Sequence, residues 1–268
     1  MRVPLESELP HLKRFGDKAA LLFAEVKSFI GRIRRIALAP GKHNKLGEMQ
    51  PEIRENFWPN TRALLHNNEK YAFMNEKPYN FTAHDSDGES LRIKEAIDHT
   101  IQIIDSGCAS ATIEDKAICF KMGLKDVGQA LTQVESEVKL MMKHPNYAPV
   151  EYVGLLQNGP VWIAVRRRIE NGKVLWTYIQ TSPAFTVEEP NDDINNDSCI
   201  EIARLIEHTY CTADEISDCL LHPERRPLNA LYTIQEYQRH SDDEDEDEDK
   251  NVDDHDLSKG YAEIVEVG

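Results

Sequence analysis

Several things are scarce or missing in this chain of 268 residues. It has no apolar run of the roughly 18 residues that a spanning helix needs, so no membrane span is expected. Its five cysteines (Cys108, Cys119, Cys199, Cys211 and Cys219) are sparse and odd in number, which argues against a disulfide framework and for reduced thiols. No Gly-rich phosphate loop, serine-nucleophile motif or H-E-x-x-H helix is present, which excludes the common nucleotide-loop, hydrolase and zinc-protease signatures. Near Met1 stand Glu6 and Glu8 rather than an apolar secretory segment, so the expected compartment is cytoplasmic or nuclear.

Charge is present in abundance but unevenly. Residues 241–268 hold thirteen Asp or Glu against Lys250 and Lys259, a net of −11 out of −16 for the whole chain. Asp242 to Asp249 is an unbroken acidic run that repels itself and buries nothing, so a disordered tail is expected. Such a tail solubilises the chain, engages a basic protein, or screens a basic face of its own domain. Tyr261 to Val267, with alternating character, reads as a short strand or a binding peptide.

The rest predicts an α+β fold: a mixed sheet with an antiparallel three-stranded meander flanked by helices. The expected organisation is a helical region over 1–85, a core over 86–240 and the tail over 241–268. From Leu12 to Ala37, apolar residues recur at helical spacing for about seven turns, giving a long amphipathic helix with a basic face that includes Lys27, Arg34 and Arg35. Residues 42–81 read as short helices and irregular chain around Pro51, Pro59 and Pro78. Ser86 and Glu89 resemble a capping box for a helix running toward Asp105. Residues 108–122 read as two short strands separated by Glu114-Asp115-Lys116, and 124–143 as a helix. Three β-rich runs over 150–157, 161–169 and 173–181 are joined by Asn158-Gly159 and Asn171-Gly172, the strongest hairpin signals in the chain. A helical hairpin is expected over 199–222.

This order of elements, together with Asp105, the E-x-K tripeptide Glu114-Asp115-Lys116, the helix bearing Gly128-Gln129-Ala130-Leu131-Thr132-Gln133, and the hairpin Tyr152 to Trp162 with its Asn158-Gly159 turn, resembles the PD-(D/E)XK nuclease superfamily. It looks most like the divergent nuclease-like domains of fungal and oomycete Crinkler-type proteins, over roughly residues 86–210. The resemblance implies Asp105 and Glu114 as ligands of Mg²⁺, with Lys116 assisting the attacking water and Glu89 or Glu95 as a further ligand. A second alignment puts the lysine at Lys121 and Cys119 in the Glu position. The helical wheel sets Gln129 opposite the Val127, Leu131 and Val138 stripe. Glu114-Asp115-Lys116 also reads as a plain solvated turn.

Two further constellations bear on function. His208, Cys211, Cys219 and His222 carry zinc-ligand chemistry if a hairpin folds them together. Trp162, Arg166 and Arg168 with Trp176 and Tyr178 form a candidate nucleic-acid-binding sheet face, with Arg34 and Arg35 as further phosphate contacts. Two function classes follow: a nucleic-acid-acting protein with a nuclease-like core, intact or degenerate, and a non-catalytic interaction protein that uses its first helix and acidic tail.

Overall fold

The computed structural model describes residues 17–39, 56–65, 70–84, 90–118, 121–147, 151–170, 173–187, 193–222 and 264–266. The fold is α+β. Among these residues four helices, α1 (Asp17–Ala37), α2 (Trp58–Leu65), α3 (Leu124–Met142) and α4 (Asn196–Leu221), pack on a mixed sheet. Its strands are β1 (Tyr71–His84), β2 (Ser90–Ile103), β3 (Ala109–Asp115), β4 (Tyr152–Gln157), β5 (Trp162–Glu170), β6 (Lys173–Gln180) and β7 (Ile264–Glu266), in that spatial order. Neighbours are antiparallel except β3 with β4 and β6 with β7. The parallel β3–β4 step needs a crossover, and α3 supplies it.

The sheet separates two packed layers. α3 covers one face, where Gly154 of β4 lets the helix come close: a Cβ there would lie 2.6 Å from Val134 Cγ2 and 3.0 Å from Thr112 Oγ1. The other face takes α1, α2 and α4. There Phe29 of α1 and Phe57 and Trp58 around the start of α2 close over Trp162 of β5, with ring centroids 5.8–6.4 Å apart. Burying these rings accounts for the folding of the short α2, which has too few residues to be stable alone. One core of buried side chains runs from Leu22 and Phe29 of α1 and Ile216 and Leu220 of α4 through the sheet to Val134 and Val138 of α3.

Several expectations need correction. Residues 90–103 form strand β2, not a helix. Leu91, Ile93, Ile97, Ile101 and Ile103 all occupy odd positions, a period of two that pairing with β1 and β3 rewards over the helical reading of the same leucine and isoleucines. Residues 71–84 form β1 rather than irregular chain; Pro78 is tolerated because β1 is the sheet edge. Of the two strands expected over 108–122, β3 forms; of the second, Ala117 and Ile118 lie in no strand, with Ile118 buried in a turn, and Cys119 and Phe120 lie outside the described residues. The expected hairpin over 199–222 is one helix, α4, continuous through the buried Thr209, Cys211 and Thr212. The capping-box residues Ser86 and Glu89 and the acidic run 242–249 lie outside the described residues.

Candidate functional site

β2 and β3 run antiparallel with His99 opposite Ile113 and Thr100 opposite Thr112, so the next step along the ladder sets Asp98 beside Glu114. Strand alternation sends both side chains to the α3 face, the face on which Thr112 meets the helix. The Asp98 carboxylate accepts a hydrogen bond from the Asp115 N–H at 2.8 Å. Burial first, and then the charge of Glu114, pushes the Asp98 carboxyl up to about 6.

α3 frames Glu114 from above. Gln133 Nε2 donates to Glu114 Oε2 at 2.7 Å and Gln129 Nε2 donates to Oε1 at 2.9 Å. Gln129 and Gln133 are one helical turn apart and therefore share a face. Lys116 Nζ donates to Glu114 Oε1 at 3.0 Å and to Gln129 Oε1 at 2.5 Å, while Asp126 Oδ1 stands 3.9 Å away. Gln129, which the wheel set away from the buried stripe, thus points into a polar seam along α3 that continues through Gln133 to Glu137, itself bound by Lys77 of β1.

Asp115, between the two functional-type residues, points to the opposite face. Its Oδ2 accepts from His99 Nε2 at 2.7 Å and its Oδ1 from Gln157 Nε2 at 2.6 Å, while His99 Nδ1 lies 2.8 Å from the Asn75 side-chain amide. The His99 and Asp115 side chains are 0% and 2% exposed, so both are sealed from water.

Glu114 and Lys116 are therefore brought together. Asp105 is not: it is exposed in the turn between β2 and β3, at the opposite end of β3 from Glu114, about 15 Å along the strand. The carboxylate that meets Glu114 is Asp98, which the helical reading of 90–103 concealed. Glu89 and Glu95 have no described side chains, and Cys119 lies outside the described residues; Lys121 is exposed just ahead of α3.

A hard divalent cation suits this set. Gln133 Oε1 is buried with no hydrogen-bond partner, on the same amide that donates to Glu114, and an amide oxygen is a donor of the type such cations take. Among the described residues no group of three His, Cys, Asp or Glu converges. The zinc constellation is pulled apart by the continuity of α4, because Cys219 lies eleven residues beyond His208, about 16 Å up the helix axis.

The arginine face is also spoken for. Arg166 is buried and bound through Nε and Nη2 to Glu151 at 2.8 and 2.9 Å, and His208 Nε2 is 2.6 Å from the same carboxylate. Burial alone would raise the Glu151 carboxyl, but the hydrogen bonds and charges of His208 and Arg166 outweigh it and bring it down to about 2. Arg167 pairs with Glu135 at 2.8 Å, and Trp162 is fully buried in the aromatic cluster. Arg166 and Trp162 therefore belong to the interior rather than to a stacking surface, leaving Arg168 half-exposed at the rim. Arg34 and Arg35 sit on α1, across the sheet from Asp98 and Glu114. Comparison with protein-family models and with curated proteins returns no match.

Proposed function

We propose that the chain acts on nucleic acid through a nuclease-like site made of Asp98, Glu114 and Lys116, with Mg²⁺ as the ion its oxygen donors suit. One observation carries the reading: two carboxylates stand side by side on adjacent strands, Asp98 within β2 and Glu114 near the end of β3, and Glu114 already holds a lysine two residues further on. A carboxyl raised to about 6 by burial first and then by its neighbour's charge belongs to a pair that gains from positive charge nearby. Asp98, Glu114 and Gln133 Oε1 would hold the ion, which supplies positive charge against the charge that develops on a phosphodiester under attack by water. Lys116 spends two donors on Glu114 and Gln129; with Asp126 beyond hydrogen-bond distance, its third proton is directed at a phosphate oxygen or at the attacking water. Gln129 and Gln133 fix the Glu114 carboxylate, so little reorganisation is needed when substrate arrives. Lys121 and Lys125, both exposed beside the start of α3, follow Lys116 in the chain and take over the phosphate-contacting role that Arg166 does not fill.

The test is cleavage of labelled DNA and RNA in Mg²⁺ or Mn²⁺ by the wild type, Glu114→Ala, Asp98→Ala and Asp105→Ala. The expected result is loss of at least about a hundredfold in rate in the first two variants and an unchanged rate in the third. A wild type that cleaves neither polymer, or a Glu114→Ala variant as active as wild type, refutes the catalytic reading. Inert wild type that still retains a basic protein through residues 241–268 favours the interaction protein.

A further inference from the structure

The side chains beneath the site form a row across four neighbouring strands: Asn75 on β1, His99 on β2, Asp115 on β3 and Gln157 on β4. From this row we infer that Asp115 is the positioning residue of the site, and that His99 and Gln157 act through it. The inference rests on the nuclease-like reading and adds to it the group that sets the place of Asp98.

Asp115 has two ends with two tasks. Its carboxylate lies on the α1, α2 and α4 face, buried, and receives one hydrogen bond on each oxygen, from His99 at 2.7 Å and from Gln157 at 2.6 Å. Its backbone N–H donates to Asp98 Oδ2 at 2.8 Å on the site side. A carboxylate is acceptor-only, so His99 Nε2 must be the donor, and Asn75 at Nδ1 fixes the plane of the ring. Phe73 covers the imidazole at 5.2 Å between centroids, and Trp58 stacks on Phe73, so water is kept from His99 and Asp115. Strand β3 ends at Asp115, where the ladder gives out and a chain ordinarily frays. Here the next residue is held too, since Lys116 N–H donates to the Gln157 carbonyl at 2.7 Å. Two buried donors on the Asp115 carboxylate therefore fix the segment whose backbone grips Asp98 and whose neighbours are Glu114 and Lys116. Outer partners of this kind commonly control metal affinity or activity by about 10- to 100-fold.

The experiment compares wild type, Asp115→Asn, His99→Phe and His99→Gln. Gln at position 99 keeps a donor toward Asp115; Phe keeps the ring and loses it. The readouts are hydrogen exchange of the Asp115 amide, calorimetric titration with Mn²⁺ alone, and KM against kcat for cleavage. Expected in Asp115→Asn and His99→Phe are exchange at least about tenfold faster at that amide, Mn²⁺ affinity about tenfold weaker, and kcat down by a similar factor at unchanged KM; His99→Gln restores most of each. Folded Asp115→Asn or His99→Phe proteins with wild-type amide exchange and wild-type Mn²⁺ affinity overturn the inference. If His99→Phe does not fold, Asp115→Asn, nearly identical in shape, decides. A wild type that neither binds Mn²⁺ nor cleaves refutes the nuclease reading instead, and the amide-exchange comparison still accepts or rejects Asp115 as the anchor.

Discussion

At the scale of single residues, Asp98 makes the sharpest claim. Its carboxyl is pushed up from 3.8 to about 6, chiefly by burial and then by Glu114. A carboxyl with a folded value above its unfolded one favours the fold when protonated. That contribution is complete below about pH 4 and is lost as pH rises through 6. Asp98→Asn is therefore expected to gain on the order of 2 kcal/mol over wild type at pH 7, shrinking to nothing near pH 4, while it removes Mn²⁺ binding. Chemical denaturation at the two pH values checks this; a variant less stable than wild type at pH 7 refutes the crowded-carboxylate reading. Glu114 and Lys116 were legible in the sequence because an E-x-K spacing puts two side chains on one strand face. Asp98 was not, because its partner stands sixteen residues away and is reached only through strand pairing.

At the scale of elements, the ion cluster around Glu151 ties α4 to the middle of the sheet. Its carboxyl is brought down to about 2 because hydrogen bonds and charges from His208 and Arg166 outweigh burial, so its contribution is present above about pH 4.5 and is lost as pH falls toward 2. Glu151→Gln is expected to cost about 3 kcal/mol at pH 7 by removing the buried charge that Arg166 and His208 share, with the difference fading in acid. Equal stability of the two proteins at pH 7 refutes it. The α3 crossover has a matching test. Gly154→Ala drives a methyl group to 2.6 Å from Val134, and a loss of about 1–3 kcal/mol is expected, partly recovered in the double variant with Val134→Ala. Additive losses in that cycle contradict the contact. Helices α1 and α3 and the β4–β6 meander were legible from their periods and Asn-Gly turns. The β2 strand was misread as a helix because its isoleucines satisfy both periods locally, and only the two flanking strands select one.

At the scale of the whole molecule, the aromatic cluster of Phe29, Phe57, Trp58 and Trp162 joins the first helices to the sheet in one core. Phe29→Ala is expected to cost about 3–5 kcal/mol and to shift one cooperative transition, seen alike by tryptophan fluorescence and by far-ultraviolet circular dichroism. Two separated transitions, with only one moved by the substitution, refute a common core.

The sequence by itself determined the α+β class, the positions of α1, α3 and the β4–β6 meander, and the E-x-K spacing that sets Glu114 and Lys116 two residues apart. Each follows from local geometry, since 3.6-residue and two-residue periods and tight-turn chemistry involve neighbours along the chain. Tertiary structure alone decided that Asp98 rather than Asp105 joins Glu114, that Gln129 and Gln133 turn inward, that Arg166 is consumed by Glu151, and that α4 runs unbroken between His208 and His222. Those outcomes depend on strand register and on which buried charges find partners, and both are settled only when distant segments compete for the same dry space.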